Sequence, residues 1–154
     1  MPNSIRIQVV PLEQIALGNL STENTKSPPV VLVVDDERAI ADTLSIILGR
    51  SGFAVQTAYD AASALELASI IPPQLLLSDV MLGPGMDGTQ LAIEMVQSYS
   101  DCKVLLFSGH AATSDLLEKA RQLGYDFALL TKPVHPADLL HRIGDCFGAA
   151  TANA

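Results

Sequence analysis

From Val30 onward the chain alternates between two periods, and few architectures accept that rhythm. Short aliphatic runs stand at "VVLVV" (30–34), "FAVQTA" (53–58), "QLLLS" (74–78), "KVLLFS" (103–108) and "DFALLT" (126–131). Between them apolar residues recur at helical spacing, first at Ile40, Leu44, Ile47 and Leu48, last at Leu139, Leu140, Ile143 and Phe147. Leu65 with Ala68, Leu91 with Met95, and Leu116 with Ala120 and Leu123 mark three more amphipathic helices. Gly52, Pro72-Pro73, Gly83-Pro84-Gly85, Gly124 and Pro133 punctuate the series. Strict β-α alternation predicts an α/β fold: a doubly wound, five-stranded parallel sheet with right-handed crossovers and helices on both faces. Unbroken aliphatic strands suit such a sheet, because both strand faces are buried. "FAVQTA" is the most polar of the five and belongs at an edge.

Bulk properties narrow the function classes. The chain has 154 residues, 49% hydrophobic and 17% charged, which favours one globular domain with a full core. A net charge of −8, with nine basic residues scattered singly, argues against a nucleic-acid partner. No apolar stretch approaches the roughly 18 residues needed to span a bilayer, and "MPNSIRIQVVPLEQ" lacks the pattern of a signal peptide. The expected location is the cytoplasm, without membrane insertion. Cys102 and Cys146 have no CxxC spacing and read as small buried hydrophobes rather than a zinc site or disulfide.

Residues 1–28 read as an N-terminal arm and linker. "NLSTENTKSPP" (19–29) is polar and ends in two prolines, and "SIRIQVV" before it alternates like a short strand. Residues 29–148 form the folded domain, and 149–154 a frayed tail.

In a doubly wound sheet, ligands sit beyond the carboxyl ends of the strands. The first strand runs into Asp35-Asp36-Glu37, the third into Asp79, the fourth into Ser108 and the fifth into Lys132-Pro133. Acids, a hydroxyl and an ammonium from four strands therefore converge on one rim. Two carboxylates about 5 Å apart repel by roughly 3 kcal/mol at an effective dielectric of 20, so a cation belongs there.

These strand ends, with "SDVMLGPGMDG" (78–88), "FSG" (107–109) and "LTKP" (130–133), resemble the receiver domain of two-component response regulators. The resemblance covers residues 29 to 148 and implies the flavodoxin-like (βα)5 order 2-1-3-4-5. It implies that Asp79 is the phosphoacceptor, with Lys132 and Ser108 holding phosphoryl oxygens. Asp36 would ligate Mg²⁺ directly and Asp35 through water, with Asp79 and the Met81 backbone carbonyl completing the protein's share. Glu37 would begin the first helix. A cis Lys132–Pro133 bond is implied as well, turning the ammonium toward Asp79.

Two features depart from the family's usual pattern. One extra residue separates Asp79 from Gly88, and glycine-flanked Pro84 suggests a loop that bulges away from the site. Leu129 stands where a switching Tyr or Phe is common, which predicts a muted rotamer change and a larger movement of the Ser108–Thr113 loop.

The expected function is a stand-alone phosphoacceptor switch. It would be served by a sensor histidine kinase or histidine phosphotransfer protein, and would address a downstream protein through its fourth helix, fifth strand and fifth helix. The alternative is a phosphorylation-independent interaction module on the same fold, which would have no need of the acids and lysine. An aspartyl-phosphate phosphatase would want an aspartate where Met81 stands. A flavin protein would want hydroxyls, not acids, after the first strand. His110 reads as a solvated loop histidine rather than a phosphate carrier.

Overall fold

Each strand is followed by a helix: β1 (Val30–Val34), α1 (Arg38–Arg50), β2 (Ala54–Ala58), α2 (Ala61–Ile70), β3 (Leu75–Asp79), α3 (Gly88–Ser98), β4 (Lys103–Ser108), α4 (Thr113–Gln122), β5 (Ala128–Thr131) and α5 (Pro136–Gly148). The structure is a computed structural model and describes residues 27–109 and 113–148. The readings of the arm through residue 26, of His110 and of the tail fall outside those residues. All strands are parallel, in the order β2-β1-β3-β4-β5. The expected fold is therefore observed, with polar β2 at one edge.

Strand alternation splits the core in two. Leu32, Val34, Leu76 and Leu106 face Ala61, Ala64, Ala68, Leu91, Met95 and Leu117, under α2, α3 and α4. Val31, Val33, Leu75, Leu77, Leu105 and Phe107 face Leu44, Leu48, Leu139 and Ile143, under α1 and α5. Each fully buried leucine contributes about 1.5–3 kcal/mol relative to exposure. Cys102 is buried and Cys146 half-buried, both as free thiols. Burial pushes the Cys102 thiol up to about 11, so it stays protonated at neutral pH.

Three element boundaries fall inside the expected runs: β3 begins at Leu75, one residue after Gln74, and the other two lie at β2 and β5, the first of them explained by a helix cap. Phe53 is not in β2, because its N–H bonds the Leu48 carbonyl while Gly52 (φ 99°) bonds Gly49, closing α1. The same pair of bonds, from Gly124 (φ 96°) to Arg121 and from Tyr125 to Ala120, closes α4. Leu123 consequently lies past the end of α4 and is 69% exposed, so it is not part of the core face assigned to it; Leu117 is buried instead. At the other boundary β5 begins at Ala128, leaving Asp126 and Phe127 in the connection, with the Tyr125 and Phe127 rings stacked 5.8 Å apart. Among the described residues no helix is long and apolar enough to cross a membrane.

Candidate functional site

The rim is built by chain geometry before any side chain is considered. β1, β3, β4 and β5 end side by side, and the Asp35, Val80 and Lys132 N–H groups just past three of those ends still bond the neighbouring strands, at the Ala58, Phe107 and Ser108 carbonyls. Asp35 follows β1 and is wholly buried, and its Oδ1 accepts the Glu37 N–H at 2.9 Å. Glu37 stands at the N-cap of α1, as expected, but its side chain makes no capping bond. Asp36 beside it is exposed. Asp79 ends β3 at 6% exposure, and its Oδ1 accepts the Met81 N–H at 3.2 Å.

Lys132 closes the cluster from the far end of the sequence. Its Nζ lies 2.8 Å from Asp79 Oδ2 and 3.4 Å from Asp35 Oδ2. The Lys132 N–H also donates to the Ser108 carbonyl at 2.9 Å, and the Lys132–Pro133 bond is cis. Burial pulls the ammonium's pKa down. The hydrogen bond and charge of Asp79, with those of Asp35 behind it, outweigh burial and leave it above the usual lysine value. Burial likewise dominates at Asp35, which is raised to about 6 although the Glu37 N–H and the Lys132 charge work to lower it.

One ligand oxygen each from Asp35, Asp36 and Asp79 can be chosen so that all lie within 4.8 Å of one another. Three hard oxygen donors and one ammonium leave net negative charge in a half-buried notch, which fits Mg²⁺. A softer metal would ask for nitrogen or sulfur, and no His or Cys belongs to this group.

The loop after β3 answers the expectation of a bulge only in part. Gly85 (φ 94°) has open space beside it, but a Cβ on Gly83 (φ 83°) would stand 3.4 Å from Asp36 Oδ2. The loop therefore begins against the site and leaves it only later. It ends at Asp87, whose carboxylate accepts the Thr89 and Gln90 N–H groups while the Gln90 side chain accepts the Asp87 N–H. Sequence reasoning missed this cap, although Asp87 and Gln90 spell it at the required spacing.

Ser108, at the end of β4, is buried, and its hydroxyl shares a 2.7 Å hydrogen bond with that of Thr113 at the start of α4. Leu129 is half-buried against the α2–α4 core. One feature had no signature in the sequence: an apolar groove of about 710 Å³ between α1 and the β5–α5 connection. Ile40, Ile47, Phe107, Lys132, Pro133 and Val134 are among its lining residues.

The family model for the response regulator receiver domain matches residues 31–144. Among solved structures, a CheY-like receiver domain protein from Methanospirillum hungatei JF-1 is 31% identical, with a TM-score of 0.71 over 83% of this chain and 100% of the other. The receiver domain of NtrX from Brucella abortus is 30% identical, with a TM-score of 0.67 over 75% and 96%. The chemotaxis response regulator CheY4 of Vibrio cholerae is 26% identical, with a TM-score of 0.66 over 77% and 98%. With sheet order, acidic cluster and family model in agreement, the chain belongs to the response regulator receiver domains, phosphoacceptor switches that work with Mg²⁺ and signal through protein contacts.

Proposed function

We propose that Asp79 is the residue that takes the phosphoryl group, and that the other rim residues serve that transfer. The observation carrying this reading is the 2.8 Å contact between Lys132 Nζ and Asp79 Oδ2, made inside a cluster of three carboxylates. In the transfer an Asp79 carboxylate oxygen attacks phosphorus. The phosphorus–nitrogen bond of the donor's phosphohistidine breaks, and its electron pair returns to the imidazole. Lys132 then moves its hydrogen bond from Asp79 to a phosphoryl oxygen, and the Ser108 hydroxyl donates to another. Asp36, Asp35, Asp79 and the Met81 carbonyl would hold Mg²⁺, which supplies neutralisation of the phosphoryl charge when bound. Catalysis is limited to the gain and loss of the chain's own phosphoryl group.

The partner that delivers the phosphoryl group is a histidine kinase or histidine phosphotransfer protein. Its docking on the groove between α1 and the β5–α5 connection is supported by the apolar lining that begins at Lys132 itself. Output through α4, β5 and α5 is supported, for its β5 and α5 part, by a groove of about 390 Å³ lined by Leu129, Leu130, Thr131, Asp138, His141 and Arg142.

The deciding experiment is incubation with acetyl phosphate and Mg²⁺ followed by intact mass measurement. The native chain should gain one phosphoryl group. Asp79→Asn, nearly isosteric, should gain none while keeping its fold, and persistent labelling of that variant would refute the assignment.

A further inference from the structure

The Lys132 ammonium has a neighbour besides the two carboxylates. Its Nζ stands over the Phe107 ring, 5.0 Å from the centroid, well inside cation–π range. Phe107 is 1% exposed and pairs in register with Leu130, two residues before Lys132. Ring and lysine therefore share the sheet face covered by α1 and α5. The stem is confined too: a Cβ on Gly109 would meet Lys132 Cβ at 3.4 Å and Cδ at 3.5 Å. A flexible side chain is thus held from three sides, by carboxylates ahead, a ring beneath and bare backbone alongside.

We propose that Phe107 is a positioning residue for phosphoryl transfer, its ring face keeping the Lys132 ammonium at the reacting centre while Asp79 changes charge. The inference rests on the reading that Lys132 neutralises phosphoryl oxygens. The reaction alters the ammonium's main partner, because Asp79 loses its formal charge when the acyl phosphate forms. The attraction of the ring does not depend on that charge. It persists while the ammonium exchanges a carboxylate oxygen for a phosphoryl oxygen, so the lysine moves about a fixed seat instead of searching for one. A leucine would fill similar space in the core and offer no such attraction.

The test places phenylalanines carrying one, two or three ring fluorines at position 107 of the full chain. Fluorine withdraws the negative face of the ring and barely changes its volume, so core packing is kept while the cation–π attraction fades. Phosphorylation by acetyl phosphate should slow stepwise, to about a tenth of the native rate in the trifluoro variant. The upfield ring-current shift of the Lys132 ε-methylene protons should weaken in step. The Tm should fall by only a few degrees, as expected for loss of one such attraction, and the calorimetric Mg²⁺ affinity should stay flat. A rate indifferent to fluorine number, with Lys132→Ala still slowed at least about tenfold, overturns the role of Phe107 alone. A Lys132→Ala variant as fast as the native chain overturns the reading of Lys132, and this inference with it.

Discussion

Asp35 carries the strongest electrostatic conflict at the residue scale. It is wholly buried, its carboxyl is raised to about 6, and its chemistry needs the ionised form. Because the folded apo chain holds this proton more tightly than the unfolded one, stability falls as pH rises from about 4 through about 6. The loss is on the order of 1–3 kcal/mol. Asp35→Asn keeps an acceptor for the Glu37 N–H and removes the buried charge. Urea unfolding of the apo variant should show that pH dependence flattened, with higher stability than the native chain at pH 7. Metal and proton compete for the same oxygens, so calorimetric Mg²⁺ affinity of the native chain should decline below about pH 6. Asp36→Ala should remove most of that affinity and, with it, phosphorylation. Unchanged Mg²⁺ binding in this variant would contradict its role as a ligand.

At the scale of elements, α3 is tied to the site by a contact that leaves no room for a side chain. A Cβ on Gly88 would land on the Asp79 carbonyl oxygen, and the Gly88 N–H bonds the Val80 carbonyl at 2.7 Å. Gly88→Ala must displace the Asp79 backbone and should cost more than about 3 kcal/mol in urea unfolding. Asp87→Ala loses the cap and the 2.6 Å bond from the Thr89 hydroxyl, about 1–3 kcal/mol together, and should leave phosphorylation intact. Much of this organisation was legible in the sequence. "VVLVV" and "KVLLFS" coincide with β1 and β4, since aliphatic runs buried on both faces have no other use. The helix after Thr113 was harder, because Leu116, Leu117 and Leu123 offer overlapping faces and only the turn at Gly124 decides among them. The rim acids were legible from strand ends alone. The Phe107–Lys132 contact was not, since it depends on the β4–β5 register. The signal's exit is also an element-scale matter. If the Ser108 hydroxyl donates to Thr113, turning that proton to a phosphoryl oxygen gives up the bond and loosens the first turn of α4. A beryllofluoride complex should show that bond broken and Leu129 still packed. Leu129 flipping while Thr113 stays in place would contradict this route.

At the scale of the whole molecule, two grooves border the last strand and helix. The groove beside α1 begins at Lys132, whereas the other is lined by Leu129, Leu130 and Thr131 of β5 with Asp138, His141 and Arg142 of α5. Ile47→Asp, placed in the first groove and away from the acids, should slow phosphotransfer from a phosphorylated histidine protein at least about tenfold and leave the acetyl phosphate rate unchanged. Equal slowing with both donors would mean damage to the site, not to docking. The lysine that completes the cluster lies 97 residues after Asp35 and 53 after Asp79. During synthesis the three acids therefore emerge before the one cation that pairs with two of them, and the Lys132 contacts to Asp35 and Asp79 can form only once β5 has docked beside β4.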